Sequence, residues 1–161
     1  MRTVALNRAG SSKTAVDLGI DAVFTHDQQY AMLNEADALV LCLPHTPESE
    51  GMIGGAALAA LKPGGVLVNV ARGAVVDEVA LVDALQSGQI GFAALDVFAV
   101  EPLPSDSPLW DMSNVLISPH SASTVAAENT RITDIFCHNL QCFVDDRFCD
   151  MQNMLDKGRM Y

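Results

Sequence analysis

From Ala38 to Leu43 the sequence reads ALVLCL, an unbroken apolar run closed by Pro44. A run of that length bounded by a proline reads as a strand buried on both faces rather than as a helix. Val66 to Val70 and Phe92 to Val97 repeat the pattern, and Thr3 to Leu6, Asp21 to Phe24 and Val115 to Ser118 are shorter strand candidates. Amphipathic segments separate them. Asp77 to Ser87 places Val79, Leu81, Val82 and Leu85 at helical spacing, with Gly88 positioned as its stop. Asp27 is the expected cap of a helix reaching about Glu35, and a short helix is expected from Gly55 to Leu61 before the turn Lys62-Pro63-Gly64-Gly65. A long helix is expected from Thr124 to about Val144, followed by a short helix and a loose tail. Strands alternating with helices predict an α/β fold: a doubly wound parallel sheet covered on both faces.

The remaining bulk properties mostly exclude. The 161 residues are the size of one domain, and half of them are hydrophobic, enough for a real core. Twenty acids against nine bases give a net charge of −11. Nucleic-acid partners need clustered Lys and Arg, and no such cluster occurs. No apolar stretch approaches the ~20 residues of a membrane span. The cysteines, Cys42, Cys137, Cys142 and Cys149, form no Cys-x-x-Cys pair, so no metal site is expected, and Cys42 reads as core. Free thiols and the lack of a leader pattern at Met1 to Leu6 make the cytoplasm the expected address.

In open parallel sheets ligands bind beyond the C-terminal ends of the strands. Asn7 and Arg8 follow the first run, and Pro44-His45-Thr46 follows Leu43. Ala71-Arg72-Gly73 follows Val70, Asp96 closes the fifth run with Glu101 beyond it, and Pro119-His120 follows Ser118. An Arg, an Asp, a Glu and a His on one edge suit reduction of a 2-oxo acid. Arg holds a carboxylate by a planar fork. His protonates the developing alkoxide, and a carboxylate beside it fixes its orientation. A nicotinamide would supply hydride. His45 is read as a solvated loop residue or a lining of the cofactor cleft, and His26 and His138 as structural or exposed. Trp110 either plugs the substrate mouth or packs the proline-rich loop.

The segments LPHTPESEGMIG, LKPGGVLVNVARGAVVDEVALVDALQSGQIGFAALDVFAVEPLP and SPHSAS, in that order, resemble the nicotinamide-binding domain of D-isomer-specific 2-hydroxyacid dehydrogenases, nearest to the glyoxylate/hydroxypyruvate reductase branch. The resemblance runs from Met1 to about Val144. It implies that Arg72 holds the substrate carboxylate, that His120 is the acid/base, and that Glu101 pairs with it. It also implies that Asp96 binds the nicotinamide carboxamide, and that Leu43, Pro44, Val70 and Ala71 give backbone and apolar contacts to the cofactor. Asn7 and Arg8 match the site of the adenosine ribose.

Against that family, no G-x-G-x-x-G occurs to cradle a pyrophosphate, and Gly54-Gly55 and Gly64-Gly65 lack its spacing. The chain is therefore read as a Rossmann-like fold missing its first strand and glycine-rich loop, N-terminally truncated, with a partial NAD(P)-binding domain over 1–144 and a tail over 145–161. In the order 3-2-1-4-5-6 the missing strand is central, so its absence should separate the first two strands from the rest and leave unpaired edges. The expected function is NAD(P)-dependent reduction of 2-oxo acids to D-2-hydroxy acids, inactive in this chain alone and homodimeric in the intact protein. The alternative is a non-catalytic dinucleotide-sensing or protein-binding module. Asn7 to Lys13 carries Arg8, Ser11, Ser12 and Lys13 but no carboxylate, which predicts a preference for NADP over NAD.

Overall fold

The computed structural model describes residues 1–7 and 19–158. It divides into two compact units, Met1–His120 and Ser121–Tyr161.

Among the described residues of the first unit six strands form: β1 (Val4–Leu6), β2 (Ala22–Phe24), β3 (Ala38–Leu41), β4 (Gly65–Asn69), β5 (Ile90–Leu95) and β6 (Val115–Ile117). All pairings are parallel. They make two sheets, β1-β2 and β3-β4-β5-β6. Among the described residues β1 has no strand on its other side, and neither has β3. This is the division expected of a doubly wound sheet without its central strand.

Helices α1 (Gln29–Glu35), α2 (Gly55–Ala60) and α3 (Glu78–Gln86) connect the strands. Ala57 and Leu58 of α2 and Leu81, Ala84 and Leu85 of α3 share one core with Leu39, Leu41, Leu67, Ile90, Ala93 and Leu95 of the larger sheet. Strand side chains alternate, so Val40, Phe92 and Leu116 belong to the opposite face. They are exposed, Val40 at 57%. The expectation of a β3 buried on both faces is corrected by these exposures. β3 is amphipathic by period two, with Leu39 and Leu41 buried and Val40 exposed.

Local chemistry explains the helix ends. α3 starts where Asp77 accepts the Ala80 N–H at 3.1 Å and ends at Gly88, whose φ of +78° suits glycine. α1 does not start at Asp27. Thr25 opens a 3-10 turn over His26–Gln28, and the Gln28 carboxamide accepts the Thr25 N–H at 3.1 Å. That reciprocal capping outcompetes Asp27, which falls inside the first turn.

The second unit is built on α4 (Glu128–Val144), shorter at its start than the sequence suggested because 121–127 forms turns. A 3-10 turn at Phe148–Asp150 follows, as expected for the tail. Along α4, Ile132, Phe136, Leu140 and Phe143 form an exposed apolar stripe. Among the described residues no helix is long and apolar enough to cross a membrane, and no group of His, Cys, Asp or Glu is arranged to hold a metal.

Candidate active site

The site begins at the end of β4. The sequence Val66-Leu67-Val68-Asn69 closes an apolar strand with a polar residue that is 1% exposed. Buried amides need partners, and Asn69 finds them in its own chain. Its Oδ1 accepts the Ala71 N–H at 3.0 Å and its Nδ2 donates to the Arg72 carbonyl at 3.1 Å. The chain is thereby turned so that Arg72 stands exposed beyond the strand. Arg72 Nη1 donates to the Ala71 carbonyl at 2.6 Å. Gly73 comes next, and a Cβ there would lie 1.9 Å from the Phe98 carbonyl carbon and oxygen. Only glycine permits that approach, so the arginine turn rests directly on the segment that follows β5.

That segment carries the acidic residues. Asp96 is 5% exposed; its N–H donates to the Asn69 carbonyl at 3.0 Å, and its Oδ1 accepts the Ser118 hydroxyl at 2.6 Å. Two residues on, the Phe98 N–H donates to Glu101 Oε1 at 3.0 Å, while Glu101 Oε2 meets His120 Nδ1 at 2.7 Å. The hydrogen bond from His120, then that from Phe98, holds the Glu101 carboxyl below its ordinary 4.5 against the upward effect of burial, and the charges of His120 and Arg72 add smaller effects in the lowering direction. A carboxylate only accepts, so Nδ1 carries the hydrogen and Nε2 is the nitrogen turned to exchange a proton. His120 has φ +52°, a backbone region few non-glycine residues occupy.

A cleft of about 400 Å³ opens at the ends of β3 and β4, lined by Cys42, Leu43, Pro44, His45, Val70, Ala71 and Arg72. The expected cofactor-contacting residues Leu43, Pro44, Val70 and Ala71 thus line one cavity with Arg72. Cys42 is not core: β3 ends at Leu41, and the next residue turns out into the cleft. His45 lines the cleft as well, with its Nε2 3.7 Å from Glu50. The Ser49 hydroxyl accepts the Thr46 N–H and donates to the Pro44 carbonyl, both at 2.8 Å, which fixes this loop. Asn7 lies at the end of β1, its N–H donating to the Phe24 carbonyl at 3.0 Å. Arg8, Ser11, Ser12 and Lys13 fall outside the described residues. Trp110 packs the proline-rich loop, its Nε1–H donating to the Pro104 carbonyl at 2.9 Å. Sequence reasoning missed Asn69 and Ser49. The signal for Asn69 was a polar residue ending an apolar strand where ligands bind.

The model of the D-isomer specific 2-hydroxyacid dehydrogenase, NAD binding domain, matches residues 1–122. The chain is 48% identical over 122 residues to D-3-phosphoglycerate dehydrogenase of Mycobacterium leprae (strain TN), covering 75% of this chain and 22% of that protein. It is 49% identical over 106 residues to glyoxylate/hydroxypyruvate reductase B of Pectobacterium atrosepticum, covering 66% and 32%. The crystal structure of a D-isomer specific 2-hydroxyacid dehydrogenase from Xanthobacter autotrophicus Py2, in complex with NADPH and MES, superposes with a TM-score of 0.85 at 35% identity, over 100% of this chain and 73% of that one. The chain therefore spans less than a third of the length of these two curated relatives, and relatives of both the phosphoglycerate and the glyoxylate/hydroxypyruvate type match it. By its matched residues and its fold, the chain belongs to the D-isomer specific 2-hydroxyacid dehydrogenases, an oxidoreductase family, and corresponds to their NAD-binding domain.

Proposed function

We propose that this chain provides the nicotinamide side and the acid–base machinery of an NAD(P)-dependent reductase of small 2-oxo acids, of the glyoxylate or hydroxypyruvate type. The observation that carries the reading is the Glu101–His120 pair at 2.7 Å with the Arg72 charge beside it, on the C-terminal edge of a parallel sheet. The residues present fit the nicotinamide half of a dinucleotide. The cleft is apolar at Leu43, Pro44 and Val70, Ala71 is small, and the buried Asp96 carboxylate lies at the end of the neighbouring strand. They do not include a glycine-rich cradle for the pyrophosphate. In this reading Leu43, Pro44, Val70, Ala71 and Asp96 hold the nicotinamide end, and Asn7 and Arg8 meet the adenosine ribose. The cofactor, when bound, supplies hydride.

The chain's own residues do the rest. Arg72 grips the substrate carboxylate with its planar guanidinium. His120 gives a proton from Nε2 to the oxygen of the carbonyl being reduced, and Glu101 stabilises the charged imidazole and keeps the ring from turning. A homodimer is part of the reading, supported by the apolar stripe Ile132, Phe136, Leu140 and Phe143. So is a preference for NADP, supported by Arg8, Ser11, Ser12 and Lys13 after β1 with no carboxylate among them.

The test is turnover of glyoxylate, hydroxypyruvate and D-3-phosphoglycerate by the natural gene product containing this sequence, with NADPH or NADP⁺ and with NADH or NAD⁺. Consumption of NADPH with the first two substrates, faster than of NADH and eroded by Arg8→Asp, is expected. Dinucleotide binding with no turnover of any 2-oxo acid would instead favour a nucleotide-sensing module.

A further inference from the structure

The Glu101–His120 pair is not self-supporting: both partners are on loops, and Glu101 is exposed. What orients it is the short segment Phe98–Ala99. Phe98 gives its N–H to Glu101. The next amide, Ala99 N–H, is taken by Glu78 Oε2 at 3.1 Å, from the first turn of α3. The same backbone is pressed on its other flank by Gly73, where no Cβ could fit. Arg72, the residue before Gly73, is therefore in register with this segment too. The turn that carries Arg72 abuts this dipeptide, Glu101 accepts its first amide and holds His120, and Glu78 is the helix residue that ties the dipeptide down.

We infer that Glu78 is a positioning residue. By accepting the Ala99 N–H it fixes the Phe98–Ala99 peptide, and through it the grip of Glu101 on His120. The inference rests on the proposed acid–base role of that pair, but its structural half does not. A blander role exists for Glu78: an acid in the first turn of a helix, favourable to the helix dipole. The two roles need different chemistry. A dipole interaction needs the charge, whereas the Ala99 bond needs only an acceptor oxygen, which Glu78→Gln retains and Glu78→Ala removes.

The experiment compares both variants in the intact protein by two readouts. The first is the titration of the Glu101 carboxyl, followed by NMR; Glu101 faces His120 and Arg72, and neither is altered by the substitutions. Glu78→Ala should let the Glu101 midpoint rise towards its ordinary value, because the Phe98 and His120 hydrogen bonds loosen, while Glu78→Gln should leave it near wild type. The second is the kinetic split with a 2-oxo acid and NADPH. Glu78→Ala should lower kcat by about 10- to 100-fold, the scale of a small misplacement of reacting groups, with KM for cofactor unchanged and with rescue by Glu78→Gln. A Glu101 midpoint that does not move in Glu78→Ala, in a variant that is folded, overturns the inference whatever the activity. Equal losses in both variants assign Glu78 to the helix dipole and also overturn it. If the midpoint moves but neither wild type nor variants reduce any 2-oxo acid, the positioning stands and the proposed reaction fails.

Discussion

At the scale of single residues, the consequence of the Glu101–His120 pair is a division of labour that mutation can separate. If His120 is the proton donor as proposed, His120→Ala should lower kcat by about 10²–10⁴-fold, the usual worth of a general acid. Glu101→Gln keeps the ring's neighbour but removes its charge, so kcat should fall less. Steady-state kinetics with NADPH binding measured separately checks this, since binding should change little in either variant. Glu101 also contributes to stability in a pH-dependent way. Its folded carboxyl titrates below the ordinary 4.5, so the unfolded chain binds the proton more readily. The contribution is fully present above 4.5 and is lost as pH falls through the lower folded value. Denaturant titrations from pH 7 to pH 3 should show wild type losing its advantage over Glu101→Gln in that acid window; a constant difference would remove the linkage.

At the scale of elements, the site is made by strand ends and the loops they release. β4 stops at a buried Asn69 that bends the chain, and β5 releases a loop whose backbone passes so near Gly73 that no Cβ would fit. Gly73→Ala would force a methyl group into the Phe98 carbonyl. Overpacking of this kind costs about 1–3 kcal/mol. Thermal unfolding of the variant should show a lowered Tm, and kcat should fall with it because Arg72 and Glu101 are pushed apart; an unchanged Tm would mean the two loops are not in firm contact.

Across the whole molecule, the larger sheet leaves Val40, Phe92 and Leu116 exposed on one face, and β3 is one of its two edge strands. Val40 belongs to both: it is on that face, and its strand ends the sheet. Surfaces of that kind promote association, and a charge on an edge strand opposes it. Val40→Lys should lower the apparent mass of the 161-residue chain at high concentration in sedimentation, without loss of secondary structure. Much of this was legible beforehand. Parallel alternation and the motif residues Arg72, Glu101 and His120 stand in the sequence, because strand ends are marked by abrupt changes from apolar to polar. The separation of β1-β2 from the other strands followed from topology. What was not legible was which face of β3 is buried, since an unbroken apolar run looks the same on one covered face or two. Nor was the role of Asn69 or Glu78 visible, because each acts on backbone amides that no side-chain pattern encodes.

The two-sheet arrangement has a further consequence for how the molecule breathes. β1 and β2 are three residues each and only half-buried, whereas Leu67, Ile90 and Ala93 in the larger sheet have no exposure at all. Segments with few buried contacts open without the rest, at a lower free energy than global unfolding. Amide protons of Val4–Leu6 and Ala22–Phe24 should therefore exchange with solvent through a local opening, well before those of Leu67 and Ala93. The end of β1 that leads into Asn7 would then loosen while the Arg72–Glu101–His120 cluster keeps its geometry. Hydrogen exchange read residue by residue measures the gap, and identical protection in the two sheets would mean that they open as one.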